Sequence, residues 1–514
     1  MRRTILDCYT DEPAGLGVPP FIGVWPRYAA GACEDEPAYL TIDDLRLVRY
    51  VECVPEVVID PPRGRTHIEV LNHTRSYEEI RKVLENTEEL IIVVGVQTPG
   101  KYLSARPGTL HEVEKLLRSF EDGRRKTDDS AVLRPQSSVV VDSFRKILTG
   151  PVLTGGTQAR GGARPQVPDA EYFDELRPPA FDTYDELQPP ALKGTSFIKQ
   201  MPHIANRIVE IETGRGCPRE RGCSFCTEPI KNKVHWRRPE LVVEEVKALM
   251  EHGAKAFRLG KQSCIYSYEG GDPQKLEAML SGLAAMRPAV LHIDNANPQM
   301  IDEKRTELFV KYLTPGSTAA MGIESFDPEV TKANNLNCPY DMAFEAIRTV
   351  NRIGGFRGEN GCHALLPGIN ILLGLAAETP ETLDRNLAAL KRICDEGLLI
   401  RRINIRRVVP FPGTPLYQQV GRRFLRKNMR YYVDWIEKVR QEIDIPMLQR
   451  LFPVGTVLKN LCSEVHNGHM TFLRQIGSYP IVVGIHERLP LNESIDVRVT
   501  GYMRRSLVGE RTKS

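Results

Sequence analysis

The sequence predicts an α/β protein built of three parts, and three patterns carry that expectation. From Asn206 to about Val409, six β-like runs alternate with helical ones, near Val209, Phe257, Leu291, Met321, Ile371 and Ile403. Six parallel β–α units curl toward an incomplete relative of the eight-unit barrel, whose functional groups sit at the C-terminal ends of strands. Residues 1 to about 160 also alternate strand and helix, which argues for a parallel sheet. After Phe452 the strands become short and are separated by turn residues, as in a small β-barrel. At 514 residues the chain is too long for one core, so several domains are expected.

In the first part, Ile5-Leu6-Asp7 and Tyr39-Leu40-Thr41-Ile42-Asp43 read as strands, and Leu90-Ile-Ile-Val-Val-Gly-Val96 as a strand buried on both faces. The run Leu110–Phe120 has helical spacing, and Pro151-Val-Leu-Thr-Gly155-Gly156 reads as a closing strand with a glycine turn. Residues 161–200 contain a short duplication, Asp174-Glu-Leu-Arg-Pro-Pro-Ala180 and Asp185-Glu-Leu-Gln-Pro-Pro-Ala191. Two copies are too few for a solenoid, so an extended, proline-stiffened linker or insertion is expected. The barrel is placed at 201–440. Its second helix carries Val243, Val246, Leu249 and Met250 on one face, between Pro239 and Gly253. A later helix is capped by Thr379, begins with Pro380, lines up Leu383, Leu387, Leu390 and Cys394, and stops at Gly397. Residues 445–514 form the last part, with strands around Thr456, Thr471, Ile481, Ile495 and Leu507.

The chemistry is concentrated in Gly216-Cys217-Pro-Arg-Glu-Arg-Gly-Cys223-Ser-Phe-Cys226, which follows the strand Asn206–Thr213. Three thiolates so close together can hold three irons of a 4Fe–4S cluster and leave the fourth iron open to a substrate or cofactor. The alternatives are a structural zinc site, with His235 as the nearest fourth ligand, or three reduced core thiols. Hydrophobic content of 41% and charged content of 26% are those of an ordinary soluble protein. No stretch has the apolar length of a membrane span, and the N-terminus lacks a signal-peptide core, so a cytoplasmic location is expected. In such a compartment the 11 cysteines read as cluster ligands and buried thiols. The net charge of +3 is small, but Arg401, Arg402, Arg406, Arg407, Arg422, Arg423, Arg426, Lys427 and Arg430 fall in one stretch without an acidic residue.

The Cys-x-aromatic-Cys ending at Cys226, with Phe225 as the aromatic, resembles the radical S-adenosylmethionine (radical SAM) superfamily. Five residues separate Cys217 from Cys223, where most members have three. The resemblance implies a 4Fe–4S cluster on Cys217, Cys223 and Cys226, with its open iron chelated by S-adenosylmethionine (SAM). Reductive cleavage would then release a 5′-deoxyadenosyl radical. By the same resemblance, Glu324 and Ser325 match a Glu-Ser segment that contacts SAM. Gly374 and Glu378 stand where relatives place a loop near the adenine, though without its Pro-Gly. Gly260 and Gln262 stand where many carry a Gly-Gly-Glu motif that holds the SAM amino group, and they depart from it. Over most of the chain the resemblance is to an uncharacterised archaeal family of Fe–S oxidoreductases, through stretches such as Leu291-His-Ile-Asp-Asn-Ala-Asn-Pro298, Asn334-Asn-Leu336 and Asn404-Ile-Arg406. The first part resembles the Rossmann-like domain ahead of many such barrels, some of which bind cobalamin. The last resembles the RNA-binding TRAM domain.

Substrate-facing groups are expected at Asn295 and Asn297, in the polar run Arg357–His363, and at Arg406 and Arg407. The leading expectation is modification of tRNA or rRNA, with the arginine-rich stretch on phosphates and Tyr431 and Tyr432 available to stack. A ferredoxin or flavodoxin would supply the electron. The alternatives are methylation or other modification of a protein side chain or metabolite with cobalamin, and a non-catalytic RNA-binding scaffold. No Asp-x-His-x-x-Gly occurs, so cobalamin would bind without a histidine ligand. A second cluster is not expected, since Cys8, Cys33 and Cys53 lack the spacing for it.

Overall fold

The computed structural model describes residues 1–12, 15–53, 72–95, 105–121, 144–155, 157–158, 165–166, 171–178 and 181–512. Val96, Gly156 and 179–180, which belong to expected elements, lie outside the described residues. Two compact units divide the chain: Met1–Glu210 with Glu244–Ala254, and Ile211–Val243 with Lys255–Ser514. Among the described residues no helix is long and apolar enough to cross a membrane.

The first unit is built on five parallel strands: β1 (Arg3–Asp7), β2 (Ala38–Thr41), β3 (Glu89–Val93), β4 (Arg145–Thr149) and β5 (Glu175–Leu176). They lie in the order β2-β1-β3-β4-β5. β3 is buried at every position, which is why its sequence is apolar throughout instead of alternating. The strand order reverses between β1 and β3, and crevices at such switch points are where doubly wound sheets take ligands. The segment Pro151–Gly156, expected as a strand, instead contains the short helix Val152–Gly155. The second copy of the duplication is also helical, over Tyr184–Lys193. Thr183 caps that helix, and buried Tyr184, Leu187 and Ala191 reward it despite two internal prolines. Tertiary burial therefore overrides the extended preference expected from its composition.

In the second unit, six parallel strands carry the barrel. β6 (Ile208–Glu212), through which the unit boundary runs, precedes β7 (Ala256–Gly260) and β8 (Val290–Ile293). β9 (Ser317–Glu324), β10 (Leu365–Leu373) and β11 (Arg402–Arg407) follow in one sheet, with the short strand Asn295–Ala296 paired to β9. The helix Pro380–Asp395 forms as expected, with a Thr379–Thr382 capping box and Gly397 in the left-handed region at φ +73°. In the helix Pro239–Glu251, through which the unit boundary also runs, the buried residues are Val242, Glu245, Val246 and Leu249, while Val243 and Met250 are only half-buried. The last strands, β12 (Val457–Asn467), β13 (Met470–Gln475), β14 (Val482–Ile485), β15 (Ser494–Tyr502) and β16 (Leu507–Arg511), close into a five-stranded barrel.

Asp7 ends β1, fully buried. It accepts from the Tyr9 N–H (2.8 Å) and the Tyr39 hydroxyl (3.1 Å), and burial raises its carboxyl to about 7. Between pH 4 and 7 the folded chain therefore binds a proton that the unfolded chain has released, and this site's contribution to stability falls as pH rises through that window. Urea denaturation should show Asp7→Asn flattening the pH dependence of stability between pH 4 and 7, by at most about 4 kcal/mol. Identical wild-type and variant profiles would refute this.

Candidate active site

The cysteine loop leaves β6 at its C-terminal end. Its base is closed by a two-stranded ribbon in which Gly214 pairs with Trp236 and Arg215 with His235. Gly216 lies at φ +83°, and a Cβ there would sit 2.5 Å from the Lys233 carbonyl oxygen, so only glycine fits. Its N–H donates to Glu228 Oε1 (2.8 Å) and its carbonyl accepts from Ser263 Oγ (2.9 Å). Within the loop, Arg219 Nη1 donates to Cys223 Sγ (3.1 Å), and the Glu228 N–H approaches Cys226 Sγ (3.4 Å). Such donors favour thiolates. Without metal, burial dominates and raises the Cys223 thiol to about 11 and that of Cys226 to about 12.

The loop is held from outside by two adjacent asparagines. The Asn334 carbonyl accepts from the Ser224 N–H (2.9 Å), and its Oδ1 accepts from Ser224 Oγ (2.7 Å). Asn335 Nδ2 donates to the carbonyls of Arg221 (2.7 Å) and Gly222 (3.0 Å). Phe225 and Cys223 pack against Val330, Leu336, Leu375, Val408 and Leu416. The extra loop length between Cys217 and Cys223 is thus absorbed by Arg219, Arg221 and Gly222, all tied to the Asn335 segment. Among the described residues no three His, Cys, Asp or Glu side chains are gathered as ligands of a single ion, and His235 is exposed on the ribbon. Three thiols in one loop fit a cluster, which takes each sulfur on a different iron.

Glu324 faces this loop. A register shift in β9 between Met321 and Glu324 re-aims the chain, and Glu324 sits at φ +63°. Gly322 leaves room for the carboxyl, since a Cβ there would lie 3.2 Å from Glu324 Oε1. Burial raises that carboxyl to about 8, and Arg406 opposes the shift. It makes no hydrogen bond or ion pair within the described residues. The end of β7 has a second such group: Gln262 is fully buried, its Nε2 reaches the Leu259 carbonyl (3.4 Å), and its Oε1 has no partner.

A family model described as "Radical SAM superfamily" matches residues 211–372, from β6 through the cysteine loop, Gln262 and Glu324 to β10. The chain carries a radical SAM domain. It is 39% identical over 547 residues to an uncharacterised protein of Methanocaldococcus jannaschii, covering 99% of this chain and 93% of that one. It is 33% identical over 533 residues to an uncharacterised protein of Archaeoglobus fulgidus, covering 99% and 89%. The radical SAM methyltransferase TsrM from Kitasatospora setae, solved with cobalamin and a [4Fe-4S] cluster, is similar at TM-score 0.45 and 13% identity, covering 81% of this chain and 74% of that one.

In this radical SAM barrel the donor set suits the cofactors the superfamily uses. Three thiols fit the cluster, and the Glu324 carboxyl and Gln262 Oε1 are acceptors without partners, suited to a cationic ligand such as SAM. Other expected groups are placed differently. Ser325 Oγ accepts from the Asp327 N–H (3.2 Å) at the start of the helix that leads to Asn334, so its hydroxyl is engaged in structure. Glu378 accepts from the Gly374 N–H (2.8 Å), Asn428 Nδ2 (3.1 Å) and the Tyr432 hydroxyl, which fixes the Gly374–Glu378 loop. The Gly260 carbonyl takes the Thr213 N–H (3.3 Å), joining the ends of the first two barrel strands. Asn295 Nδ2 reaches the Gln262 carbonyl (3.4 Å), while Asn297 Oδ1 caps the turn Pro298–Met300.

The polar run Arg357–His363 is not at this site. It precedes β10, so it lies at the opposite end of the strands from a loop that follows β6. There Asn360 Nδ2 bonds the Pro315 carbonyl (2.9 Å), and its own carbonyl takes the Lys459 N–H (3.1 Å). Arg406 and Arg407 are exposed at the end of β11. Asn334, Asn335 and Arg219 carry positioning roles that the sequence reading did not assign, although Asn334-Asn-Leu336 stood out in it as a shared stretch.

Cys217→Ala, Cys223→Ala and Cys226→Ala should each lower iron after anaerobic reconstitution from roughly four per chain to below one, whereas Cys394→Ala should keep it and cost about 1 kcal/mol. Asn334→Ala strands Ser224 Oγ and the Ala376 backbone, so it should cost about 2 kcal/mol and reduce iron retention. Full iron loading of any of the three cysteine variants would contradict the ligand assignment.

Proposed function

We propose that this radical SAM enzyme modifies RNA, with the helix Arg423–Val439 as its main phosphate contact. One observation carries the reading. Arg423, Arg426, Lys427 and Arg430 recur at helical spacing, all four exposed, and none forms an ion pair among the described residues. The opposite face of the same helix holds Asn428 and Tyr432 against Glu378. A strand of phosphates on the basic stripe would therefore lie on the element that braces the Gly374–Glu378 loop. The small terminal five-stranded barrel would offer RNA a second handle.

When bound, the cluster and SAM supply reductive cleavage of a carbon–sulfur bond and a 5′-deoxyadenosyl radical. Cys217, Cys223 and Cys226 would hold the iron. Glu324 and Gln262, whose carboxyl and amide oxygens lack partners among the described residues, would accept from the cationic end of SAM. Phe225 and the apolar cluster around Leu375 keep water from that side of the loop. A reductant of the ferredoxin or flavodoxin type supplies the electron. In filter binding, total tRNA should bind at low salt and release steeply as salt rises. Replacing Arg426, Lys427 and Arg430 together by Gln should lower the log–log salt slope by about 2 to 3. No binding at low salt would overturn the reading.

A second reading adds cobalamin to the first unit. The strand order β2-β1-β3-β4-β5 favours it, because it places a switch-point crevice beyond Asp7 and Val93. No histidine-ligand motif is present, so a cobalamin there would be held by shape and backbone. Protein reconstituted with hydroxocobalamin and desalted should keep the corrin spectrum in the visible range; a colourless product would refute this second reading.

A further inference from the structure

Closed eight-stranded barrels fill their interior with apolar side chains. This one does not. Arg258 of β7 pairs with Asp294, just beyond β8, and both are buried. The Tyr479 hydroxyl, from the loop between β13 and β14, donates to Asp294 Oδ1 (3.0 Å), and the Tyr479 carbonyl accepts from Arg401 Nη2 (2.6 Å). On β11, Asn404 Nδ2 donates to Asn370 Oδ1 of β10 (3.0 Å), so that face of β11 lies against the neighbouring strand's polar side. Arg402 and Arg406 share the face of Asn404 by the two-residue period of a strand. Arg406 lies within electrostatic range of both Glu324 and Tyr479.

Arg402 and Arg406 stand out because neither makes a hydrogen bond or an ion pair among the described residues, while Asp294 is already committed to Arg258 and Tyr479. Arg401 and Arg505 add positive charge beside Arg402, and Asp444, itself bonded to Arg440, offsets part of it. Arg402 stays accessible to solvent, while Ile403 on the opposite face of the strand is buried. The Arg402–Asn404–Arg406 face is therefore the open one, shared with Asn370 of the neighbouring strand. Like charges gathered on one face oppose folding unless an anion offsets them, and guanidinium forks match carboxylate and phosphate oxygens.

We propose that the barrel interior below the cysteine loop binds an anionic group of the substrate, a phosphate or a carboxylate, through Arg402 and Arg406, with the Asn370–Asn404 pair beside it and Tyr479 beneath. The two arginines lie four residues apart, about 13 Å along the strand, so an anion between them hangs the rest of the substrate toward Glu324 and the cysteines. This goes beyond the RNA reading and does not depend on it. A nucleotide turned into the barrel would present its phosphate, and a small acid would present its carboxylate.

Calorimetric titration of the full-length protein at low ionic strength, with inorganic phosphate and separately with acetate, tests the site. Saturable binding of one anion per chain is expected. It should weaken at least tenfold in Arg402→Gln and in Arg406→Gln, and less in Arg402→Lys and Arg406→Lys, which keep the charge and lose the fork. Tighter phosphate binding points to a nucleotide-like substrate, and equal or tighter acetate binding to a carboxylic acid. Far-UV circular dichroism confirms that the variants are folded, and the Lys pair serves if a Gln variant is not. The proposal is overturned if neither anion binds the wild type, or if wild type and substituted proteins bind equally. Loss of tRNA binding with intact anion binding would sink the RNA reading alone.

Discussion

Asn334 is the residue on which the geometry of the site depends, because its one buried amide joins three separate pieces of chain. Its Oδ1 accepts from Ser224 Oγ and the Ala376 N–H, and its Nδ2 donates to the carbonyls of Val330 and Ala376. The cysteine loop, the Gly374–Glu378 loop and the helix Pro328–Ala333 thereby share a single reference point. A fully buried amide with all its groups satisfied is rigid, since any displacement leaves a polar atom unpaired in a region without water. Glu378 extends the brace by tying the second loop to Asn428 and Tyr432. The Cys217–Cys226 loop is long, and this outside bracing takes the place of a shorter turn.

The barrel handles charge in two ways. Arg258 is neutralised by Asp294, as buried ions usually must be. Glu324 and Arg406 face the same space without a hydrogen bond between them, and burial holds the carboxyl near the point at which it ionises. A cationic ligand beside Glu324 and an anionic one beside Arg402 and Arg406 would each lower an electrostatic cost already present in the folded chain. Substrate and cofactor would then be sorted along the barrel by sign of charge before any specific contact is made.

The terminal five-stranded barrel supplies part of this arrangement. Its β13–β14 loop places Tyr479 on Asp294, and the Ser478 N–H reaches His292 Nδ1 (3.1 Å). Burial lowers His292 to about 4, so it stays neutral and can accept that bond at physiological pH. The β13–β14 loop thus fixes residues of β8, the end of that strand and the start of β11 in one place.

By itself the sequence determined the features that depend on near neighbours. The three cysteines fall within ten residues, the Thr379 cap and Gly397 stop bound their helix, and the barrel strands read out as β-like runs alternating with helical ones. Only the tertiary structure decided the rest, for three physical reasons. Asn334 and Ser224 are 110 residues apart in the chain, so no local pattern links them. A strand such as Arg402–Arg407 has two faces, and alternation cannot say which neighbours each one meets, so only the structure shows that Arg402 and Arg406 share the face of Asn404, which is bonded to Asn370. Finally, the polar run before β10 and the helix Tyr184–Lys193 take their places from what packs on them, and that packing is absent from their own composition.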